Sequence, residues 1–340
     1  MLKTRLIKIA LVALTIASTT VVAGGDSTIT LSTDNDLFSP IQNDRDYTAG
    51  LAIAYSAEAL EDSWNLIGTS LDILDTAFLP SADLSAKGPG ALEFGVYGFT
   101  PEEISESSII EDDRPYSSLM YLSSSQSRKI KGSHDSWSSS LTVGILGLDV
   151  FESGQNAIHQ AIDSPRAEGW GHQVSDGGEL TARYSLAYHS PIGEVISDHQ
   201  FKTTLFGSVG YLTEFGAALV FRDGLISSPT ERFNPELSMY GESSAGKEGG
   251  KSNESYFWGG VAIKARLYNA FLEGQFRDSE HTVSRSELNH VIAEGWIGYT
   301  QSLFNAYKFS YVLRVQSSEI NQGAGDRTLA WGSLVLSRSF

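Results

Sequence analysis

Glu179-Leu180-Thr181-Ala182-Arg183-Tyr184-Ser185-Leu186-Ala187-Tyr188 alternates with period two. Leu180, Ala182, Tyr184, Leu186 and Tyr188 share one face of the extended chain, while Glu179, Thr181, Arg183 and Ser185 share the other. The same pattern recurs in residues 309 to 317, where Phe309, Tyr311, Leu313 and Val315 oppose Ser310, Arg314 and Gln316. It recurs again in residues 137 to 145, where Trp137, Leu141, Val143 and Ile145 oppose Ser138, Ser140, Thr142 and Gly144. An apolar face that meets lipid and a polar face that meets a lumen describe a transmembrane β-barrel strand.

Working outward, strand-like segments fall near 27 to 34, 47 to 57, 91 to 99, 116 to 127, 135 to 147, 178 to 190, 199 to 211, 213 to 222, 254 to 267, 269 to 277, 291 to 303, 305 to 317 and 328 to 340. Bacterial single-chain barrels have even strand numbers, so one of these thirteen is surplus, and the Gly-rich stretch 207 to 216 is where two should merge. The expectation is an all-β, antiparallel barrel of about twelve strands. Phe340 ends the last segment on the side of Leu334 and Leu336, as outer-membrane barrels often end on an aromatic, although Arg338 interrupts that face.

Lys3, Arg5 and Lys8 precede an apolar run from Ile9 to Ile16 and small residues before Gly24. Residues 1–23 therefore read as a signal peptide, too short in its apolar core to span a bilayer, and residues 24–340 as one barrel domain. No later run has spanning length, so a membrane role requires a barrel. The net charge of -17 includes the three leader cations and becomes -20 without them, which excludes nucleic acid as a partner. There is no cysteine, so stability must come from burial or from a closed hydrogen-bond network. Hydrophobic content is 41 % with 33 glycines, a profile that strands apolar on one face would give.

Non-strand segments are few. Leu60, Trp64, Leu66, Ile67, Leu71 and Leu74, bounded by Pro80, predict a small amphipathic helix at a barrel end or interface. Residues 223 to 253, rich in Gly, Ser and Pro, read as a long surface loop. Residues 154 to 166 predict a short helix in a rim loop. There Gln155, His159 and Asp163 stack at i, i+4 and i+8, with Ala157, Ile158, Ala161 and Ile162 supplying the packing elsewhere. A histidine held on such a face suits proton chemistry near neutral pH.

Three polar clusters interrupt the strand pattern. They are Asp34-Asn35-Asp36 with Asp44-Arg45-Asp46-Tyr47-Thr48-Ala49-Gly50, then Asp112-Asp113-Arg114-Pro115-Tyr116, then the His159 helix with Gly169-Trp170. With Tyr97-Gly98-Phe99-Thr100-Pro101 and Gly332-Ser333-Leu334 they run in one order along the chain, and together they resemble the outer-membrane lipid A 3'-O-deacylases. The motifs depart from the family pattern at Ala49 and at Ser117-Ser118.

The resemblance implies a twelve-stranded barrel in the outer membrane of a Gram-negative bacterium. Such a barrel hydrolyses the 3'-linked acyloxyacyl ester of lipopolysaccharide lipid A with calcium (Ca2+). His159 is then similar to a base that activates water, with Gln155 one turn away and Asn35, Asp36 and Thr48 as the polar wall opposite. Arg114, beside Asp113, resembles a cation that meets a lipid A phosphate. Such chemistry needs a base near the water and a neutraliser for the oxyanion, and calcium takes oxygen ligands.

Two rivals differ in class. A serine-dependent outer-membrane phospholipase would use His189-Ser190, and Gly241-Glu242-Ser243-Ser244-Ala245-Gly246 lacks the final glycine of a nucleophile elbow. A non-catalytic binding or transport barrel would need no helix bearing His159.

Overall fold

The computed structural model describes residues 27–40, 46–57, 66–79, 84–88, 90–194, 197–240, 242, 253–304 and 306–340, so the leader and Ser243-Ser244 lie outside the described residues. Its strands are β1 (Ser27–Asn35), β2 (Asp46–Ala57), β3 (Leu84–Lys87), β4 (Gly90–Thr100), β5 (Ser117–Ile130), β6 (Ser136–Leu146) and β7 (Glu179–Ile192). They continue with β8 (His199–Gly210), β9 (Leu212–Leu225), β10 (Ser255–Asn269), β11 (Val291–Leu303), β12 (Tyr307–Gln316) and β13 (Leu329–Ser339).

Twelve of them close an antiparallel barrel; the four-residue β3 lies along the edge of β5 that β4 also occupies and so prolongs β4. The seam joins β1 to β13, from Thr28↔Ser339 to Asn35↔Gly332, and the Phe340 amide donates to the Ser27 carbonyl at 2.9 Å. A closed barrel leaves no unpaired edge in lipid. Arg338 on the last strand lies over the Tyr307 and Phe340 rings, which reconciles a cation with the outer face.

The twelve-strand count holds, but the surplus segment is not where the glycines pointed. Gly210 has φ +141 and its Cα faces the Ala182 carbonyl too closely for a side chain, so residues 207 to 216 make a tight hairpin between two genuine strands. The false strand is 269 to 277. Asn269 caps a helical turn, Ala270–Glu273, that drives Phe271 into the aromatic cluster of the lumen.

Alternation sets the two faces. Leu180, Leu205 and Val209 stand exposed on the outside, whereas Arg183, Lys264, Arg266 and Arg314 are buried inside. Buried charges require partners. Arg183 meets Glu242 at 2.7 Å, Lys264 and Arg314 share Glu294 at 2.7 Å, and Arg266 pairs with Glu214 and Glu319.

Of the expected surface loop 223 to 253, residues 241 and 243–252 lie outside the described residues, and residues 226–240 and 242 correct the expectation. Phe233, Asn234, Glu236, Tyr240 and Glu242 are buried in the lumen, with Phe233 edge-on to Trp258 and Glu236 2.9 Å from Lys202. Tyr240 continues into a cluster with Tyr47, Phe99, Phe271 and Trp331; the Phe99 and Tyr240 ring centroids lie 4.7 Å apart. The interior is packed around a polar chamber of about 70 Å³, room for a few waters.

Ser27, Phe340, the short turn 131–135 and the facing ends of β7 with β8 and of β11 with β12 lie at one end, which is the periplasmic one. The helix α1 (Leu66–Phe78) belongs to that end, and α2 (Val150–Ile162) to the extracellular end.

Candidate active site at the extracellular rim

On β1, Asp34 turns inward to accept from the Tyr47 hydroxyl, so Asn35 faces outward. Asn35 is held at both ends of its amide: Nδ2 donates to the Thr48 carbonyl and Oδ1 accepts from the Leu37 amide, each at 2.7 Å. The second bond caps a short turn, Asp36–Phe38, in which Asp36 is buried. This turn folds over the outer face of β13. A Cβ on Gly332 would sit 2.6 Å from that of Phe38, and the Tyr311 hydroxyl donates to the Phe38 carbonyl at 2.5 Å.

On β2, a bulge between Tyr47 and Ala49 takes Thr48 out of the alternation. Its hydroxyl lies 2.6 Å from that of Thr100 on β4. Ala49 is paired with both Asn35 and Gly98, so Asn35, Thr48, Gly98 and Thr100 make one patch of outer wall.

The helix α2 lies against this patch. Phe151 covers Gly98 so closely that an added Cβ would be 2.6 Å from its ring. Phe151 also packs with Ile104, Tyr116, Ala167 and Trp170 in a cluster that reaches Ala49 and Val96. Phe151, Gln155 and His159 are i, i+4 and i+8, and all three are buried. The expected packing side is inverted, since Ala157, Ile158 and Ala161 are exposed and the polar stripe is the one turned inward.

Two bonds fix that stripe. The Trp170 indole donates to Gln155 Oε1 at 2.8 Å, which sets the amide orientation and leaves Gln155 Nε2 buried with no hydrogen-bond partner among the described residues. His159 Nδ1 lies 2.5 Å from the Pro165 carbonyl. A carbonyl only accepts, so Nδ1 carries a proton, and in the neutral imidazole the lone pair is at Nε2. The loop returns to make this contact because Asp163 ends the helix in a left-handed conformation, φ 58.

Asp163 is thus an exposed cap outside the stripe, which corrects its expected place beside His159. Arg114 and Asp113 lie apart from the α2 stripe. Arg114 turns into the lumen mouth, buried over the Phe99 ring, 3.0 Å from Glu319 and 3.5 Å from Asp46. Asp113 accepts from the Glu102 amide and pairs with Arg327. A guanidinium set between two carboxylates in the lumen mouth serves the packing of that mouth. Thr100, Phe151, Pro165 and Trp170 were not singled out by residue type; Thr100 and Trp170 sit inside quoted motifs, whereas Phe151 and Pro165 carry no local signal.

The family model of outer membrane protein LpxR matches residues 6–340. The chain belongs to the LpxR family. This is the lipid A 3'-O-deacylase family its motifs resemble, and it places the protein in the Gram-negative outer membrane. LpxR from Salmonella typhimurium has the same fold, with a TM-score of 0.67 at 16 % identity over 92 % of this chain and 100 % of that one. The beta domain of the Bordetella autotransporter BrkA is more distant, with a TM-score of 0.40 at 13 % identity over 94 % of this chain and 100 % of that one. No curated protein matches the sequence.

Within this LpxR-family barrel His189 and Ser190 do not form a dyad. His189 faces the lumen between Ser138 and Thr204, while Ser190, next along β7, points outward to Asp135. As to calcium, the rim offers the Asp36 carboxylate, the Asn35 amide, and the Thr48 and Thr100 hydroxyls. No group of three or more His, Cys, Asp or Glu that would hold a metal occurs among the described residues. An all-oxygen set fits the donor preference of calcium, and a single carboxylate suits a weak site.

Proposed function

We propose that this LpxR-family protein is a hydrolase that removes the 3'-linked acyloxyacyl group from lipid A, with His159 as general base. The observation that carries the reading is the His159–Pro165 contact, which in the neutral imidazole assigns the proton to Nδ1 and the lone pair to Nε2 on the buried stripe of α2. Nε2 takes a proton from a water, and the water attacks the ester carbonyl from the outer wall of the barrel. Charge then develops on the carbonyl oxygen of the tetrahedral intermediate. Gln155 Nε2, buried with unspent N–H groups one turn away, is the donor positioned to meet it. Collapse of the intermediate breaks the acyl C–O bond as protonated His159 returns the proton to the departing lipid A oxygen.

Asp36, Asn35 and Thr48 would hold calcium, which when bound supplies Lewis-acid polarisation of the ester. The placement suits the substrate. The site is outside the barrel at the extracellular rim, where lipopolysaccharide stands in the outer leaflet, and its acyl chains would run beside exposed Leu51, Ile53 and Phe94. A transport reading has the packed lumen against it.

The test incubates detergent-solubilised protein with lipopolysaccharide and calcium and weighs the lipid A by mass spectrometry. The expected result is loss of one 3' acyloxyacyl group, abolished by chelator and restored by calcium. An unchanged mass with calcium present overturns the hydrolase reading, and activity that survives the chelator overturns its metal component.

A further inference from the structure

The helix α1 has its polarity reversed relative to a helix on a soluble protein. Its buried positions are Gly68, Leu71 and Asp75, whereas Leu66, Ile73 and Phe78 are exposed, at 83, 66 and 64 %. The charged residues of the helix are Asp72 and Asp75, and both turn toward the barrel. Asp75 Oδ2 accepts from Gln126 Nε2 and from Ser139 Oγ, each at 2.6 Å, and Oδ1 accepts from the Tyr184 hydroxyl at 2.9 Å. Asp72 accepts from Lys87 at 2.5 Å and from Gln126 at 3.1 Å.

Those partners lie on the outer face of the wall. Tyr184 shares its side of β7 with exposed Leu180, and Ser139 lies opposite to Ser138 and Thr142, which bond lumen groups His189 and Glu242. Gln126 is cross-strand neighbour to Ser139, and Ser124 to Leu141. Beneath α1 the lipid-facing surface of β5 and β6 is therefore polar, unlike the exposed Leu205, Leu219 and Ile263 elsewhere on the barrel. Bare in hydrocarbon, such a patch would leave its hydrogen-bonding groups unmet.

The geometry points to α1 being a membrane-embedded cover. It seals the polar patch of β5, β6 and β7 through Asp75 and presents Leu66, Ile73 and Phe78 to the acyl chains of the periplasmic leaflet. Three observations identify lipid as the occupant of the outward side. That side carries no charge, it continues the apolar outer face of the barrel, and Phe78 stacks on Tyr184 at 5.7 Å so that the helix reaches up the wall.

The chain has no cysteine, so single-cysteine labelling tests this directly. Ile73→Cys is labelled with bimane and refolded into phosphatidylethanolamine–phosphatidylglycerol vesicles. Leu205→Cys on the bare wall and Gly132→Cys in the 131–135 turn serve as references. Ile73→Cys is expected to match Leu205→Cys, with strong quenching by acyl-chain doxyl lipid and severalfold less by iodide. Quenching by iodide at the level of Gly132→Cys, with no effect of doxyl lipid, overturns the proposal.

Adding Asp75→Ala tests the seam. The folded form is verified by heat-dependent gel mobility, and Gln126→Ala replaces Asp75→Ala if the latter does not fold. Iodide quenching at position 73 is expected to rise severalfold; unchanged quenching in the folded variant overturns the anchoring role of Asp75.

Discussion

His159 Nδ1 faces the carbonyl oxygen of Pro165 at 2.5 Å, six residues on and across the end of α2. The contact decides the tautomer of the imidazole and thereby which nitrogen is available as a base. It depends on Asp163 taking a left-handed conformation that turns the chain back on the helix. The side chain that helical spacing favoured beside His159 thus serves through its backbone.

Gln155 supplies the first prediction. Its Nε2 is a buried donor with no hydrogen-bond partner among the described residues, so Gln155→Ala should lower kcat by about 10²-fold, the scale of one oxyanion donor, with KM little changed. Trp170→Phe removes only the bond that orients the amide at 2.8 Å and should cost about 1 kcal/mol, roughly fivefold. Equal losses in the two variants, measured as steady-state deacylation, would contradict this division of roles.

Gly98 sets the approach of the helix to the wall. Gly98→Val places methyls where the Phe151 ring lies and should cost about 1–3 kcal/mol of docking, seen as lost activity in a barrel that still folds. Phe151→Ala in the same chain should recover part of the activity, because the overlap is with that ring. No recovery in the double variant would mean that Gly98 acts otherwise than through Phe151.

Arg114 is expected to matter for stability and not for substrate affinity. Arg114→Ala removes one of two cations from each carboxylate, since Glu319 keeps Arg266 and Asp46 keeps Arg327, a loss of about 1.5–3 kcal/mol by urea unfolding in vesicles. KM for lipopolysaccharide should be unchanged. A raised KM with normal stability would restore the phosphate role.

The strands were legible because lipid lies on one side of them and paired charge on the other, so β7 could be read from residues 179 to 188 alone. What could not be read depends on partners distant in sequence. Residues 226 to 242 have the composition of a surface loop, and only the lumen-facing Lys202, Arg183 and Arg314 make them interior. Residues 269 to 277 have strand-like residues, yet Asn269 caps a turn and Phe271 fills the lumen mouth. At the site, Gln155 and His159 were visible by spacing, but Phe151, which completes their stripe, gains its meaning only from Gly98 across the wall.

Acid should loosen the periplasmic half of the lumen. Burial alone would raise the Glu236 carboxyl, but Lys202, with His189 and Thr204, holds it at about 2 against an ordinary 4.5. A depressed carboxyl stabilises fully above its unfolded value, so this contribution is present above about pH 4.5 and is lost as pH falls toward 2. Urea midpoints followed from pH 7 to 2 should therefore fall more steeply in the wild type than in Glu236→Gln, which starts lower at neutral pH. Parallel acid profiles would remove Glu236 from this role.

The most direct measurement is the mass of lipid A after single-turnover incubation with wild-type and His159→Ala protein in calcium, with folding of both verified by gel mobility. The wild type should release the 3' acyloxyacyl group, and His159→Ala should do so about 10²–10⁴-fold more slowly, the scale of a lost general base. A His159→Ala rate within a few-fold of the wild type would contradict the account.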